Sequence, residues 1–577
     1  MTITRIVVLV AALTTTACAA LPAPPPAFDL LVSGGTIYDG SGGSPFVGDV
    51  GVSGDRIVYV GPHAPATARR IVDAHGQAVS PGFINMLSWS TESLIVDPRG
   101  QSELRQGVTL EVMGEGWSMG PLNPEMKALS VARQGDIKYP IEWTTLGEYL
   151  VWLEKRGIAP NVASYVGATT VRQHELGERD VDPNPDQLAR MRTLVRQAME
   201  EGAMGVGTSL IYPPASFAET DELVALTTEA ARCGGNYISH MRSEGDRLLE
   251  SVDELIDISR RSGAPAEIYH LKQAGRANWG KLDQVIAKVE AARAAGLKVT
   301  ADMYTYTAGG TGLAASLPPW VQDGGNEAML GRLKDPAIVA KLKREMLLPG
   351  SNWENLYLQA GPQGILLAGL VDPALKPLIG KTLAEAAKLR GVSPEQAVID
   401  LVLADQGRVG AIYFLMNEDN VRRETAIPWV SFGSDAEAAA PEGVFLKSST
   451  HPRAYGNFAR FLGRYVRDEQ VVPLQEAIRR LSALPADNLH LADRGRLAPG
   501  KAADIVVFDP ATIADHATFE QPMQYATGVR DVFVNGVQVL SNGEPTGATP
   551  GRFVRGPGWT GWPGGGACAK SGAPGAN

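Results

Sequence analysis

From Leu188 to Tyr304 the chain repeats one unit, a stretch with apolar residues at helical spacing followed by a short apolar run. Leu188, Met191, Leu194, Val195, Ala198 and Met199 recur at helical spacing and stop at Gly202, after which AMGVGTSL reads as a buried strand. A helix from Asp221 to Arg232 then precedes NYISHM, one from Leu248 to Arg261 precedes AEIYHL, and one from Leu282 to Ala295 precedes LKVTADMY. Spacing this short favours right-handed βαβ crossovers and parallel strands. With FINMLSW, VTLEVMG, NVASYVG and the late run WVSFGSD there are eight candidate strands. Eight is the number that closes a (β/α)8 barrel. The pattern predicts an α/β barrel over residues 81–494, with residues 309–355, which hold PPW and a charged helix, inserted over its mouth as a lid.

The two ends follow another period. Residues 28–80 and 495–556 alternate short apolar runs with turns such as Gly34-Gly35 and Ser53-Gly54-Asp55, which predicts one small β-sandwich built from both ends of the chain. Residues 1–20 place Arg5 before the apolar run Ile6–Leu13 and end in small residues, the pattern of a signal peptide. Thr15-Thr16-Ala17-Cys18 is similar to a lipoprotein signal, which implies lipidation of Cys18 and attachment to a membrane; cleavage near Ala19 is the alternative. Both outcomes predict an exported protein, periplasmic or lipid-anchored to the bacterial cell envelope. A Pro-rich linker (21–27) follows, and a Gly-rich stretch (557–577) reads as a flexible tail. Cys233 and Cys568 lie so far apart in sequence that no disulfide framework is predicted. A net charge of -10 without a basic stripe excludes a nucleic-acid partner.

Functional groups of such a barrel cluster at the C-terminal ends of its strands. Of eight histidines, only His240 and His270 fall there, at the ends of the fifth and sixth candidate strands, and Asp435 ends the eighth. A lone histidine is usually a hydrogen-bonded core residue. Two on successive βα units, with a facing carboxylate, suit zinc or a similar divalent metal.

The segments SLIYPP, YISHMRSE, IYHLKQAGRANWGK, ADMYTYTAG, GSDAE, HPRAYGNFARFL, RGRLAPGKAADIVVFDP and TGATPGRFVRG together resemble the N-acyl-D-amino-acid deacylases (D-aminoacylases) of the amidohydrolase superfamily. The resemblance runs from about Phe28 to Arg555. It implies a barrel with a β-sandwich from both chain ends, His240 and His270 as ligands of the tightly held metal, and Asp435 as general base on the attacking water. It also implies that Lys272, Tyr212 and Tyr304 contact substrate, Lys272 through the amino acid's carboxylate. Arg453, in the loop HPRAYGNF, is a further candidate for gripping a carboxylate, with bracing of the loop as the alternative.

The departures from that family lie at the metal. Its first strand carries a His-x-His pair where this chain has Leu87 and Trp89, expected to form an apolar wall at the pocket. Its second strand ends in a ligating cysteine, whereas this chain reads Met113-Gly114-Glu115-Gly116, which leaves Glu115 as the third ligand. The expectation is a hydrolase with one zinc, or another divalent metal, per chain, cleaving the amide of N-acyl amino acids, D-amino acids included, or of short peptides. Two other readings stay open, a metal-free pseudoenzyme that binds a ligand and a hydrolase of cyclic amides or dipeptides. Absence of a lysine from AMGVGTSL ranks the last lower.

Overall fold

The computed structural model describes residues 27–350 and 352–571. Eight parallel strands form a barrel, in chain order Phe83–Asn85, Val108–Met113, Asn161–Ser164 continued as Val166–Gly167, Gly205–Ser209, Asn236–His240, Ala266–Ile268, Val299–Met303 and Val430–Phe432. The eighth strand closes on the first through Met86 N–H to Phe432 O (3.1 Å) and Asp435 N–H to Leu87 O (2.8 Å). Local chemistry sets the outer helices. Pro185–Glu201 starts on a capping box between Asn184 and Gln187 and stops at the left-handed Gly202, and its buried face is Met191, Val195, Ala198 and Met199.

Strands from the two chain ends share one sheet. Ala78–Pro81 pairs antiparallel with Ile505–Phe508, in the register Val506 to Ser80, which joins the N-terminal strands Phe28–Ile37 and Phe46–Ser53 to the C-terminal Val529–Val534. Val50, Val52, Ile57, Ile505 and Phe533 make its core.

Three expectations need correction. The insertion is not confined to 309–355. Between the seventh and eighth strands the chain builds a three-stranded antiparallel sheet from Ala308–Gly312, Ile365–Gly369 and Gly410–Phe414, with its own helices and its own apolar core around Leu313, Leu367, Leu401 and Tyr413. The stretch after Pro557 is also packed rather than loose as far as it is described. It ends in the helix Gly566–Ser571, and, contrary to the expectation of no disulfide, Cys568 is disulfide-bonded to Cys233 at the end of the helix Thr220–Arg232, because folding brings together cysteines far apart in sequence. Cys18, the signal and residues 21–26 of the linker lie outside the described residues.

The barrel interior below the site holds buried carboxyls. Glu267 accepts from Thr300 Oγ1 (2.9 Å) and Asn488 Nδ2 (2.9 Å), yet burial pushes it up to about 7 against those bonds. A carboxyl raised on folding contributes its stability in full below the unfolded value and loses it as pH climbs through the folded one. Glu267→Gln is therefore expected to raise Tm relative to wild type at pH 8, by the equivalent of roughly 1–3 kcal/mol, and to give no gain at pH 4. Thermal melts across that range check it.

Candidate metal centre

Glu115 is set by the glycines on either side. Gly114 (φ +103°) and Gly116 (φ +71°) adopt left-handed backbone, and a Cβ on them would lie 2.3 Å from Tyr165 O and 2.4 Å from Ser209 Oγ. Only glycine lets the loop after the second strand press this closely on the third and fourth, and the pressure turns Glu115 inward.

There it meets the histidines. Glu115 Oε1 lies 3.0 Å from His240 Nδ1 and 3.1 Å from His270 Nε2, with the two rings perpendicular and their centroids 4.4 Å apart. The three donor atoms lie within 4.8 Å of one another and all three residues are buried. Burial pushes the Glu115 carboxyl up, but the bonds to His240 and His270 outweigh it and hold the group at about 2. Burial and the Lys272 charge push His270 down, and Glu244 and Glu115 bring it up to about 10. The carboxylates thus favour positive charge at this point. One carboxylate and two imidazole nitrogens converging there fit a divalent metal of zinc's type.

Behind the imidazoles sits Glu244, which the sequence did not single out. Its Oε1 lies 3.0 Å from His270 Nδ1 and its Oε2 lies 3.6 Å from His240 Nε2, so one carboxylate faces the outer nitrogens of both rings. A carboxylate behind a ligating histidine fixes its tautomer and raises its basicity. The same Glu244 Oε1 takes Lys272 Nζ at 2.6 Å. Lys272 lines the cavity but is already paired, which sets it apart from the free cation expected for a substrate carboxylate.

Opposite the triad, Asp435 ends the eighth strand with φ +51°, and His270 has φ +35°. Left-handed backbone at two non-glycine site residues is strain, held by Asp302 Oδ1 accepting the His270 N–H (2.8 Å) and by the Asp435 N–H bonded to Leu87 O. Burial pushes the Asp435 carboxyl up, partly offset by Arg453, whose Nη1 lies 2.8 Å from Asp435 Oδ2. Arg453 stacks 4.5 Å from the centre of the Tyr304 ring, and its Nε meets no acceptor among the described residues. His451 braces the loop, bonding Ala308 O through Nε2 (2.9 Å) and accepting the Arg453 N–H at Nδ1 (3.0 Å).

Glu115, His240, His270, Asp435, Lys272, Tyr212, Tyr304 and Arg453 all line one cavity of about 620 Å³. Tyr212 packs edge-on against His240, 5.4 Å between ring centres, and the Tyr304 hydroxyl is buried with no hydrogen-bond partner among the described residues. The wall expected from Leu87 and Trp89 is different from prediction. Leu87 is fully buried in the barrel with Met86, Leu110 and Val112, whereas Trp89 faces the cavity beside Trp117. Trp89 is not merely apolar, since its Nε1–H reaches Glu115 Oε2 (2.9 Å) and Asp435 Oδ1 (3.1 Å).

Comparison with known proteins shows the family and the fold. The amidohydrolase family profile matches residues 367–540. D-aminoacylase of Alcaligenes xylosoxydans xylosoxydans is 33% identical over 531 residues, which cover 91% of this chain and 97% of that protein. A crystal structure of D-aminoacylase superposes with a TM-score of 0.76 at 34% identity, covering 92% of this chain and 100% of the other. That of N-acyl-D-glutamate deacylase from Bordetella bronchiseptica, complexed with zinc and a phosphonate mimic of the tetrahedral intermediate, gives 0.75 at 29% identity over 92% and 99%. The chain belongs to the D-aminoacylase family of amidohydrolases.

Proposed function

We propose that the protein is a zinc-dependent amide hydrolase that removes the acyl group from N-acyl-D-amino acids. The observation that carries this reading is the convergence of Glu115, His240 and His270 on one point, with Asp435 facing them across a single cavity. Relatives named for deacylation of D-amino acids, and the zinc in one of their structures, support the substrate class and the metal.

Glu115, His240 and His270 would hold the ion, and when bound it would supply Lewis acidity to the scissile carbonyl and the attacking water. The chain's own groups do the rest. Asp435 accepts a proton from the water as its oxygen adds to the carbonyl carbon, then delivers it to the amide nitrogen as the C–N bond breaks. Burial pushes the Tyr304 hydroxyl up to about 12, past the pull of Lys272 and Arg453, so it stays protonated and able to donate. With the unpaired Nε of Arg453 it forms the receptor for the amino acid's carboxylate. Trp117 and Trp89 give the neighbouring wall an apolar surface for an acyl chain or side chain.

The test is hydrolysis of matched N-acetyl-D- and N-acetyl-L-amino acids together with metal content of the purified protein. The reading expects about one zinc per chain and turnover of the D series. Arg453→Lys is expected to raise KM by roughly 10- to 100-fold, the worth of hydrogen bonds to a charged group. Metal-free protein after zinc supplementation, or turnover confined to the L series, would overturn it.

Export and lipidation of Cys18 belong to the same proposal. The leader-like residues 1–20 support it, as does the Cys233–Cys568 disulfide, because such bonds persist in oxidising compartments. Metabolic labelling with a fatty acid, compared between wild type and Cys18→Ala, tests the anchor.

A further inference from the structure

We propose that Trp89 takes the place of a second cation, its indole N–H holding the Glu115 and Asp435 carboxylates together and limiting the centre to a single metal ion. This rests on the metal-dependent reading above and adds what sets the metal count.

Both carboxylates divide their oxygens in the same way. Glu115 turns Oε1 to the two imidazoles and Oε2 to Trp89 Nε1. Asp435 turns Oδ2 to Arg453 and Oδ1 to the same indole nitrogen. Two anionic oxygens, one from the end of the second strand and one from the end of the eighth, thus converge on a single point. Carboxylates repel one another and gather this way around positive charge. Here the point is occupied by a neutral N–H.

An indole nitrogen is a donor only and has no lone pair for a metal. Trp89 therefore satisfies the carboxylates while offering no ligand, and its ring fills the adjoining space. No nearby residue of the first strand replaces the lost donor, because Leu87 is apolar and wholly buried in the barrel. The arrangement has a second effect. Trp89 and Arg453 between them orient Asp435 from both oxygens, and an ionised carboxylate has about four lone-pair sites, so sites remain for the proton of the attacking water. A cation in place of the N–H would bind those electrons and weaken the base.

The experiment is a zinc titration of metal-free protein, wild type and two variants, with bound metal counted after equilibrium dialysis and hydrolysis followed in parallel. Wild type is expected to saturate at one equivalent and to keep its activity in excess zinc. Trp89→Phe removes the N–H and retains an aromatic ring; it is expected to take up a second, weaker equivalent and to lose activity as that equivalent binds. Trp89→His puts an imidazole at the same position and is expected to hold the second equivalent more tightly than Trp89→Phe. Circular dichroism confirms that each variant is folded, and either variant alone is sufficient. Folded variants that still stop at one equivalent, or a wild type that takes two, overturn the role of Trp89. A wild type that binds none sinks the metal-dependent reading itself, a separate outcome.

Discussion

Asp435→Asn is expected to leave the metal in place and lower kcat by roughly 10²- to 10⁴-fold, the usual contribution of a positioned general base. The substitution is nearly isosteric. Its side-chain oxygen still accepts from Trp89 Nε1, which lies 3.1 Å from Asp435 Oδ1, and the backbone bond to Leu87 O is unchanged. What disappears is the ability to take a proton, together with the ion pair to Arg453 Nη1. Burial, and the nearby Glu115 charge, raise the Asp435 carboxyl despite Arg453, and a raised carboxyl is a stronger base once ionised. Steady-state kinetics with metal analysis of the same preparation check this. Full zinc with more than a tenth of wild-type activity would remove Asp435 from the role.

The second large effect falls on the metal. His240→Ala and His270→Ala are each expected to leave the purified protein without stoichiometric zinc, because either change removes one of the three donors that converge among the described residues. Glu115→Gln is expected to weaken binding for the same reason, and more severely than an exposed carboxylate would, since the amide places a neutral oxygen or an N–H against both imidazoles. Glu244→Gln acts at one remove. It is expected to cost roughly 10- to 100-fold in metal affinity, the range for residues that orient ligating histidines. If Glu115→Gln binds zinc as wild type does, Glu115 is not a ligand and the third donor must be sought elsewhere.

All eight barrel strands were legible as short apolar runs, four of them each preceded by helical spacing, and His240, His270 and Asp435 were legible because they stand at strand ends. Glu115 was found from its place beside the ligating cysteine of the resembled family, and the positive φ angles of its flanking glycines show how the loop is forced close to its neighbours. The insertion was underestimated for a physical reason. Residues 383–390 and 394–404 form helices, and 410–414 a strand, so the segment carries the same periods as the barrel and nothing in a single sequence says which sheet a strand joins. Glu244 was hidden in a similar way. It lies four residues beyond His240, and only the turn of the chain after the fifth strand brings its carboxylate behind both imidazoles. The Cys233–Cys568 pair was read as unbonded because 335 residues separate two cysteines that folding brings together. For Trp89 the misreading was chemical, its ring having been weighed as apolar surface without its N–H.

The sheet shared by the two chain ends imposes a delay on synthesis. Ala78–Pro81 leaves the ribosome early, but its antiparallel partner Ile505–Phe508 is made only after the whole barrel. One side of that strand pairs at once with Phe28–Ile37, but at about 5–20 residues per second its other side waits unpaired for roughly 20 to 85 seconds. An open strand edge of that duration is a template for pairing with other chains. A nascent chain of this architecture has to be shielded during that interval or kept unfolded until its final strands arrive. Truncation before residue 505 would make the exposure permanent.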